Sequence, residues 1–211
     1  MRIGCIIQAR INSTRLPNKA NADIGGWPMW RHVFERMKPF NPIIAWAHDY
    51  PDVDEMDLLG RYALCAKANR FDIIMRVTSD CPLIDPEECR KVLNRVLLHD
   101  FDYAANDMVQ TYPDGLGCEV MKREALLWGE HWITDPEDRE HVRVKASKRF
   151  SKTNVLCPFV GYEKLKFSVD TQAELDLVRK IDAALPAGDG KYRLENTLEA
   201  YRRVQDQARI S

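Results

Sequence analysis

The chain has 211 residues, 45% of them apolar and 30% charged, with a net charge of −1. That length suits one domain with a sizeable core, and the near-neutral balance excludes a global field that would draw in nucleic acid or an anionic membrane. No stretch is long and apolar enough to cross a bilayer, and the apolar run at 3–9 lacks a leader's cleavage pattern, so a soluble cytoplasmic protein without a membrane partner is expected.

In chain order, Ile3-Gly4-Cys5-Ile6-Ile7 is short, continuous and β-branched, as a strand buried on both faces requires. A Gly25-Gly26-Trp27-Pro28 turn precedes a helix at 29–37, where Met29, Val33, Phe34 and Met37 recur at helical spacing before Pro39 and Pro42 stop it. Residues 43–47 give a second buried strand, 54–68 a helix with Asp54 as candidate N-cap, and 72–78 a third strand. Asp85 followed by Pro86 is the usual cap-then-proline opening for a helix reaching about His99. This alternation predicts a Rossmann-like α/β fold, a mostly parallel sheet flanked by helices.

Beyond residue 100 the pattern loosens. Turn formers crowd 106–119, helices are expected from about Lys122 and Pro136, and strands at 153–157 and 165–169. A helix at 171–185 is broken at 186–190 from a last one at 194–208. Six cysteines lie scattered without a C-x-x-C pair, which points to reduced thiols rather than a zinc site.

Two motifs carry chemistry, both at the carboxyl ends of expected strands, where open parallel sheets bind ligands. The first is Ala9-Arg10-Ile11-Asn12-Ser13-Thr14-Arg15-Leu16-Pro17-Asn18-Lys19, within a stretch of twenty residues that has no acid. Guanidinium and ammonium groups with neighbouring hydroxyls suit phosphate oxygens; a solvated basic loop is the other account of the same spacing. Neither G-x-x-x-x-G-K-[ST] nor G-x-G-x-x-G is present. The second is Arg76-Val77-Thr78-Ser79-Asp80-Cys81-Pro82-Leu83-Ile84-Asp85. A carboxylate at Asp80, opposite a phosphate-binding loop, suits Mg²⁺, which is commonly held by one or two carboxylates together with substrate phosphates. Asp80 equally suits a turn cap. Asp170, ending the apolar run before Thr171, is a second candidate ligand or the N-cap of the following helix.

Q-A-R-x-x-S-T-R-L-P-x-K at 8–19, D-L-L-G-R-Y at 57–62, R-V-T-S-D-C-P-L-I-D at 76–85, Y-P-D-G-L-x-x-E-V at 112–120, D-R-E-H-V at 138–142 and S-V-D-T at 168–171 occur in one order. The series resembles the cytidylyltransferase family that includes the spore coat polysaccharide biosynthesis proteins, and more distantly the synthetases of CMP-activated acidic sugars. The resemblance implies a nucleotide-diphospho-sugar transferase fold of the glycosyltransferase-A type and Mg²⁺-dependent transfer of CMP from CTP to a sugar-like or acidic acceptor, with pyrophosphate release, for surface polysaccharide or glycoconjugate synthesis. It implies one nucleotidyltransferase domain over 1–211: a nucleotide half at 1–100, an acceptor half at 101–190 and a C-terminal helix at 191–211. Ala9, Arg10, Ser13, Arg15, Lys19 and Ser79 would hold the nucleotide, with Arg10, Arg15, Lys19 and Asp80 catalytic. Asp80 and Asp170 would hold the metal, and Tyr112, Asp114, Glu119, Arg139 and His141 would face the acceptor; turn formation remains an equal account of Asp114, and pinning of the loop an equal account of Arg139 and His141. A homodimer is also expected. Three departures from the family pattern stand out: Asn18 where L-P-G-K has glycine, Ser79 where glycine precedes the metal aspartate, and a short segment after residue 47. A glycosyltransferase using a nucleotide sugar, or a degenerate nucleotide-binding protein, are the alternative functions.

Overall fold

The apolar run at the N-terminus forms β1 (Ile3–Ala9), the second strand from one edge of a six-stranded sheet. The computed structural model describes residues 1–188 and 190–210; Asp189, in the expected break at 186–190, and Ser211 lie outside the described residues. After a two-stranded ribbon, β2 (Asp23–Ile24) and β3 (Trp27–Pro28), come α1 (Met29–Met37), β4 (Ile43–Trp46), α2 (Leu58–Asn69), β5 (Ile73–Thr78) and α3 (Pro86–His99). The second half adds β6 (Tyr103–Ala105), β7 (Glu119–Lys122), α4 (Arg123–Trp132), α5 (Pro136–Glu140), β8 (Lys152–Asn154), α6 (Gln172–Ala184) and α7 (Leu194–Ile210).

The sheet order is β4-β1-β5-β7-β6-β8. Strands β4, β1 and β5 run parallel, β7 is antiparallel to both β5 and β6, and β8 is parallel to β6. Alternation along β1 places Cys5 and Ile7 against α1 and α3, and Ile6 against α2, so the strand is buried on both faces as parallel strands are. A third apolar cluster, around Phe167, Val169, Leu175 and Leu198, seats α6 and α7 beside the sheet.

Local chemistry sets the boundaries. Asp85 accepts from Glu87 N at 2.7 Å and Glu88 N at 3.4 Å, so α3 starts as expected. The cap of α2 is Asp57, accepting from Gly60 N at 2.9 Å, rather than Asp54, and the helix begins three residues later than the spacing suggests. Residues 165–169 do not make a ladder strand; they meet the 112–119 loop through a single bridge, Asp114 to Lys166.

Candidate active site

The loop after β1 delivers its cations to the carboxyl end of the parallel strands. Asn18 takes left-handed backbone, φ 57° and ψ 28°, and its side-chain oxygen accepts from Asn21 Nδ2 at 2.7 Å. Asparagine tolerates that region better than most residues, so the turn a glycine would make is kept. Lys19 is thereby directed inward. Its ammonium lies 2.8 Å from Asp80 Oδ2, 2.8 Å from Asp170 Oδ1 and 3.0 Å from the Val169 carbonyl, with only 10% of the side chain exposed.

Backbone bonds bring the two aspartates together. Val169 N donates to the Asp80 carbonyl at 2.9 Å, which sets Asp170 beside the turn after β5. The 165–169 segment is itself held by the 112–119 loop, through Asp114 N to the Leu165 carbonyl and Phe167 N to the Asp114 carbonyl. Gly115 makes this approach possible: its φ is 93°, and a Cβ there would lie 2.2 Å from Ser168 N.

Neither aspartate serves as a helix cap. Thr171 caps α6 in a full capping box with Glu174, and the side chain of Asp170 instead accepts from Lys19 and from Lys166 Nζ at 3.0 Å, with Arg15 Nη2 3.1 Å away. Burial by itself would raise the pKa of Asp170; the ammoniums of Lys19 and Lys166 hold it down at about 2. Burial likewise opposes the charge on Lys19, but Asp80 and Asp170 raise its pKa.

These groups wall a cleft of about 340 Å³, together with Gln8, Arg10, Arg76, Thr78, Ser79 and His141. A smaller cavity of about 210 Å³ adjoins it, sharing Arg76, Thr78, Cys81 and Asp114, and is closed by Asp107, Gln110, Tyr112 and Glu119. Within its wall Arg76 Nη1 lies 2.8 Å from Glu119 Oε1, and behind the wall Lys145 Nζ lies 3.3 Å from Asp107 and 3.5 Å from Glu119. Burial opposes the charge on Arg76, yet Glu119 raises its pKa. Burial and then Glu119 push Asp107 up to about 6.

The expected residues divide accordingly. Arg10, Lys19, Ser79, Asp80, Asp114, His141 and Asp170 meet at the cleft. Arg10 also contacts the Met56 sulfur, and Arg15 reaches in to Asp170 from an exposed position. Ala9 is fully buried at the strand end, and Ser13 stands half-buried outside the cleft wall. Tyr112 lines the smaller cavity with its ring, because its hydroxyl donates to Glu88 at 2.6 Å. Glu119 lines it too, but as the buried ion-pair partner of Arg76 rather than as an open acceptor of sugar hydroxyls. Arg139 lines neither cavity. Its guanidinium grips Asp57 at 3.0 and 2.7 Å and donates to the Glu130 and Ile133 carbonyls, pinning α5 to the start of α2 and to the end of α4.

Sequence reasoning missed Arg76, Asp107, Lys145 and Lys166. An arginine inside an otherwise apolar strand was a signal for the first, and the Lys166, Asp170, Glu174 spacing of four was one for the last. Nothing local marks Asp107 or Lys145, which meet across 38 residues. Among the described residues no group of three or more His, Cys, Asp or Glu side chains could hold a metal ion, so a cation here would rest on Asp80, Asp170 and ligand oxygens. That donor set suits a hard divalent ion: oxygen only, two carboxylates converging on one positive charge at the cleft wall.

A family model described as cytidylyltransferase matches residues 4–44, which span β1, the basic loop and α1. The 3-deoxy-manno-octulosonate cytidylyltransferase of Trichlorobacter lovleyi is 36% identical over a segment covering 41% of this chain and 41% of that protein, so the match spans less than half of that relative. Among solved structures, a cytidylyltransferase from Leptospira borgpetersenii superposes with a TM-score of 0.87 at 22% identity, covering 98% of this chain and 96% of that one. A CMP:2-keto-3-deoxy-manno-octonic acid synthetase complexed with CTP gives a TM-score of 0.61 at 20% identity over 87% of this chain and 99% of that one. The chain therefore has the fold shared by these two structures, the nucleotide-diphospho-sugar transferase fold. Over the matched segments the chain is similar to cytidylyltransferases, the 3-deoxy-manno-octulosonate enzyme among them.

Proposed function

We propose that the protein is a Mg²⁺-dependent cytidylyltransferase, transferring CMP from CTP to a sugar-like or anionic acceptor in the synthesis of a surface polysaccharide or glycoconjugate. The observation that carries this reading is the meeting of Lys19, Asp80 and Asp170 at one point of a polar cleft, at the carboxyl ends of β1 and β5. Residues 1–100 would supply the nucleotide half and residues 101–190 the acceptor half of one domain.

Nucleotidyl transfer asks the protein for position and charge rather than for a covalent intermediate. An acceptor oxygen bonds to the α-phosphorus, the bond from that phosphorus to the β-bridging oxygen breaks, pyrophosphate leaves, and the acceptor proton passes to solvent. Arg10, Arg15 and Lys19 would hold the triphosphate and offset the charge that grows on the departing pyrophosphate. Ser79 and the strand end at Ala9 would support the nucleotide, and the loop at 112–119 with His141 would present the acceptor. Asp80 and Asp170 would hold Mg²⁺, which when bound supplies positive charge at the α-phosphate. All six cysteines are free, which supports a reducing cytoplasmic setting. Assembly as a homodimer belongs to the same reading.

The test is pyrophosphate release from CTP with Mg²⁺ and a panel of sugar acceptors. Release that needs CTP, Mg²⁺ and acceptor together supports the reading, and Asp80→Asn should abolish it while leaving the far-ultraviolet circular dichroism unchanged. Acceptor modification from a nucleotide sugar, with no pyrophosphate formed, would make the protein a glycosyltransferase instead.

A further inference from the structure

The two carboxylate oxygens of Asp170 are held by different parts of the chain. Oδ1 faces the basic loop, with Lys19 Nζ 2.8 Å away and Arg15 Nη2 3.1 Å away. Oδ2 accepts from Lys166 Nζ at 3.0 Å. Lys19 belongs to the cleft wall and Arg15 to the same loop, so an anion in the cleft competes with Asp170 for both. Lys166 stands outside that wall, although Asp170 is part of it. A ligand that draws off the loop cations therefore leaves Lys166 on Oδ2.

Lys166 is fixed at both ends. Two bonds to the 112–119 loop bracket its backbone, Asp114 N to the Leu165 carbonyl at 2.9 Å and Phe167 N to the Asp114 carbonyl at 2.7 Å. Its ammonium also lies 2.7 Å from Glu174 Oε1. Glu174 is itself tied down, because its Oε2 accepts from Asp170 N at 2.7 Å and from Thr171 N at 2.8 Å. One carboxylate thus sets the backbone of Asp170 and, through Lys166, the direction of its side chain. At 37% exposure the Lys166 pairs add little stability, and the capping box starts α6 without them. Their consequence falls on the Asp170 carboxylate, which keeps Oδ1 alone for a cation. That suits Mg²⁺, which demands near-octahedral geometry, better than Ca²⁺, which takes more oxygens and accepts both from one carboxylate.

We propose that Lys166 is a positioning residue that restricts Asp170 to ligation through one oxygen and so selects Mg²⁺ over Ca²⁺. This deepens the reading of Asp80 and Asp170 as the metal-holding pair and rests on it.

The experiment is calorimetric titration of CTP into the protein in excess Mg²⁺, in excess Ca²⁺ and with a chelator. The unmodified chain should bind CTP more tightly in Mg²⁺ than in Ca²⁺. Lys166→Met should narrow that gap by about tenfold, and Lys166→Arg, whose guanidinium still covers Oδ2, should keep it. Removing one positive charge acts alike on two divalent ions, so the ratio between them isolates the oxygens that ligate. Where Lys166→Met fails to fold, Lys166→Ala takes its place. The proposal is overturned by the absence of a gap in the unmodified chain, or by an unchanged gap in Lys166→Met. Affinities in the two ions that rise or fall together in that variant overturn it as well. CTP affinity that the chelator leaves unchanged in the unmodified chain fails the metal-dependent reading itself, before any variant is compared.

Discussion

Lys19→Met removes the one cation shared by Asp80 and Asp170 and keeps an unbranched side chain of similar length. Breaking a fully buried ion pair by deleting one partner costs about 3–5 kcal/mol, whereas an exposed pair contributes at most about 1 kcal/mol. The three side chains are 10%, 28% and 20% exposed, between those limits. Asp170 retains Lys166 and Arg15, while Asp80 loses its only ion-pair partner among the described residues. The loss should therefore be about 2–3 kcal/mol, a fall in Tm of roughly 4–12 °C for a chain of this size. Thermal unfolding by differential scanning calorimetry, with and without Mg²⁺ and without nucleotide, reads both halves of the argument. Mg²⁺ should raise the Tm of Lys19→Met more than that of the unmodified chain, because in the latter the ammonium already stands between the carboxylates. An unchanged Tm, or the same Mg²⁺ response in both proteins, would refute the shared-cation account.

Three further outcomes follow from the same geometry. Asn18→Ala should lose about 1 kcal/mol in urea unfolding and weaken CTP binding, because alanine is penalised at φ 57°, whereas Asn18→Gly should leave stability within a few tenths. Arg139→Ala should cost about 2–4 kcal/mol, since it strips a bidentate partner from Asp57 and two carbonyls at the end of α4. The folded-state pKa of Asp170 lies at about 2, below its ordinary 3.8, so its share of stability is fully present above about pH 4 and lost as pH falls toward 2. Urea midpoints measured over that range should show a step that is smaller in Asp170→Asn.

The parallel half of the sheet was legible because its strands advertise themselves: β1, β4 and β5 are short apolar runs separated by helices with visible stop and cap signals. Strands β6 and β7 were not, for Tyr103–Ala105 is three residues long and Glu119–Lys122 has charged ends, and both are fixed by pairing with distant segments. The error at α2 came from three aspartates, 52, 54 and 57, competing for one cap, a choice that packing settles. At the site, charge counting located the basic loop and strand ends located Asp80. The role of Lys19 as the link between the aspartates could not be read, since Asp170 arrives through a backbone bond from Val169 to Asp80 formed 89 residues apart in sequence (169 against 80). The Thr171-x-x-Glu174 capping box was present in the sequence and would have freed Asp170 from the cap role. The ion pair between Arg76 and Glu119 lies across the β5–β7 register, Arg76 opposite Glu119, and needed β7 to be seen first.

The most direct test of the central claim is calorimetric titration of CTP, with Mg²⁺ present, into the unmodified protein, Asp80→Asn and Asp170→Asn. The unmodified chain should bind CTP, and each variant should lose most of the Mg²⁺-dependent part of the affinity while remaining folded. Equal affinity in all three proteins, with or without Mg²⁺, would contradict a metal-assisted nucleotide site built on Lys19, Asp80 and Asp170.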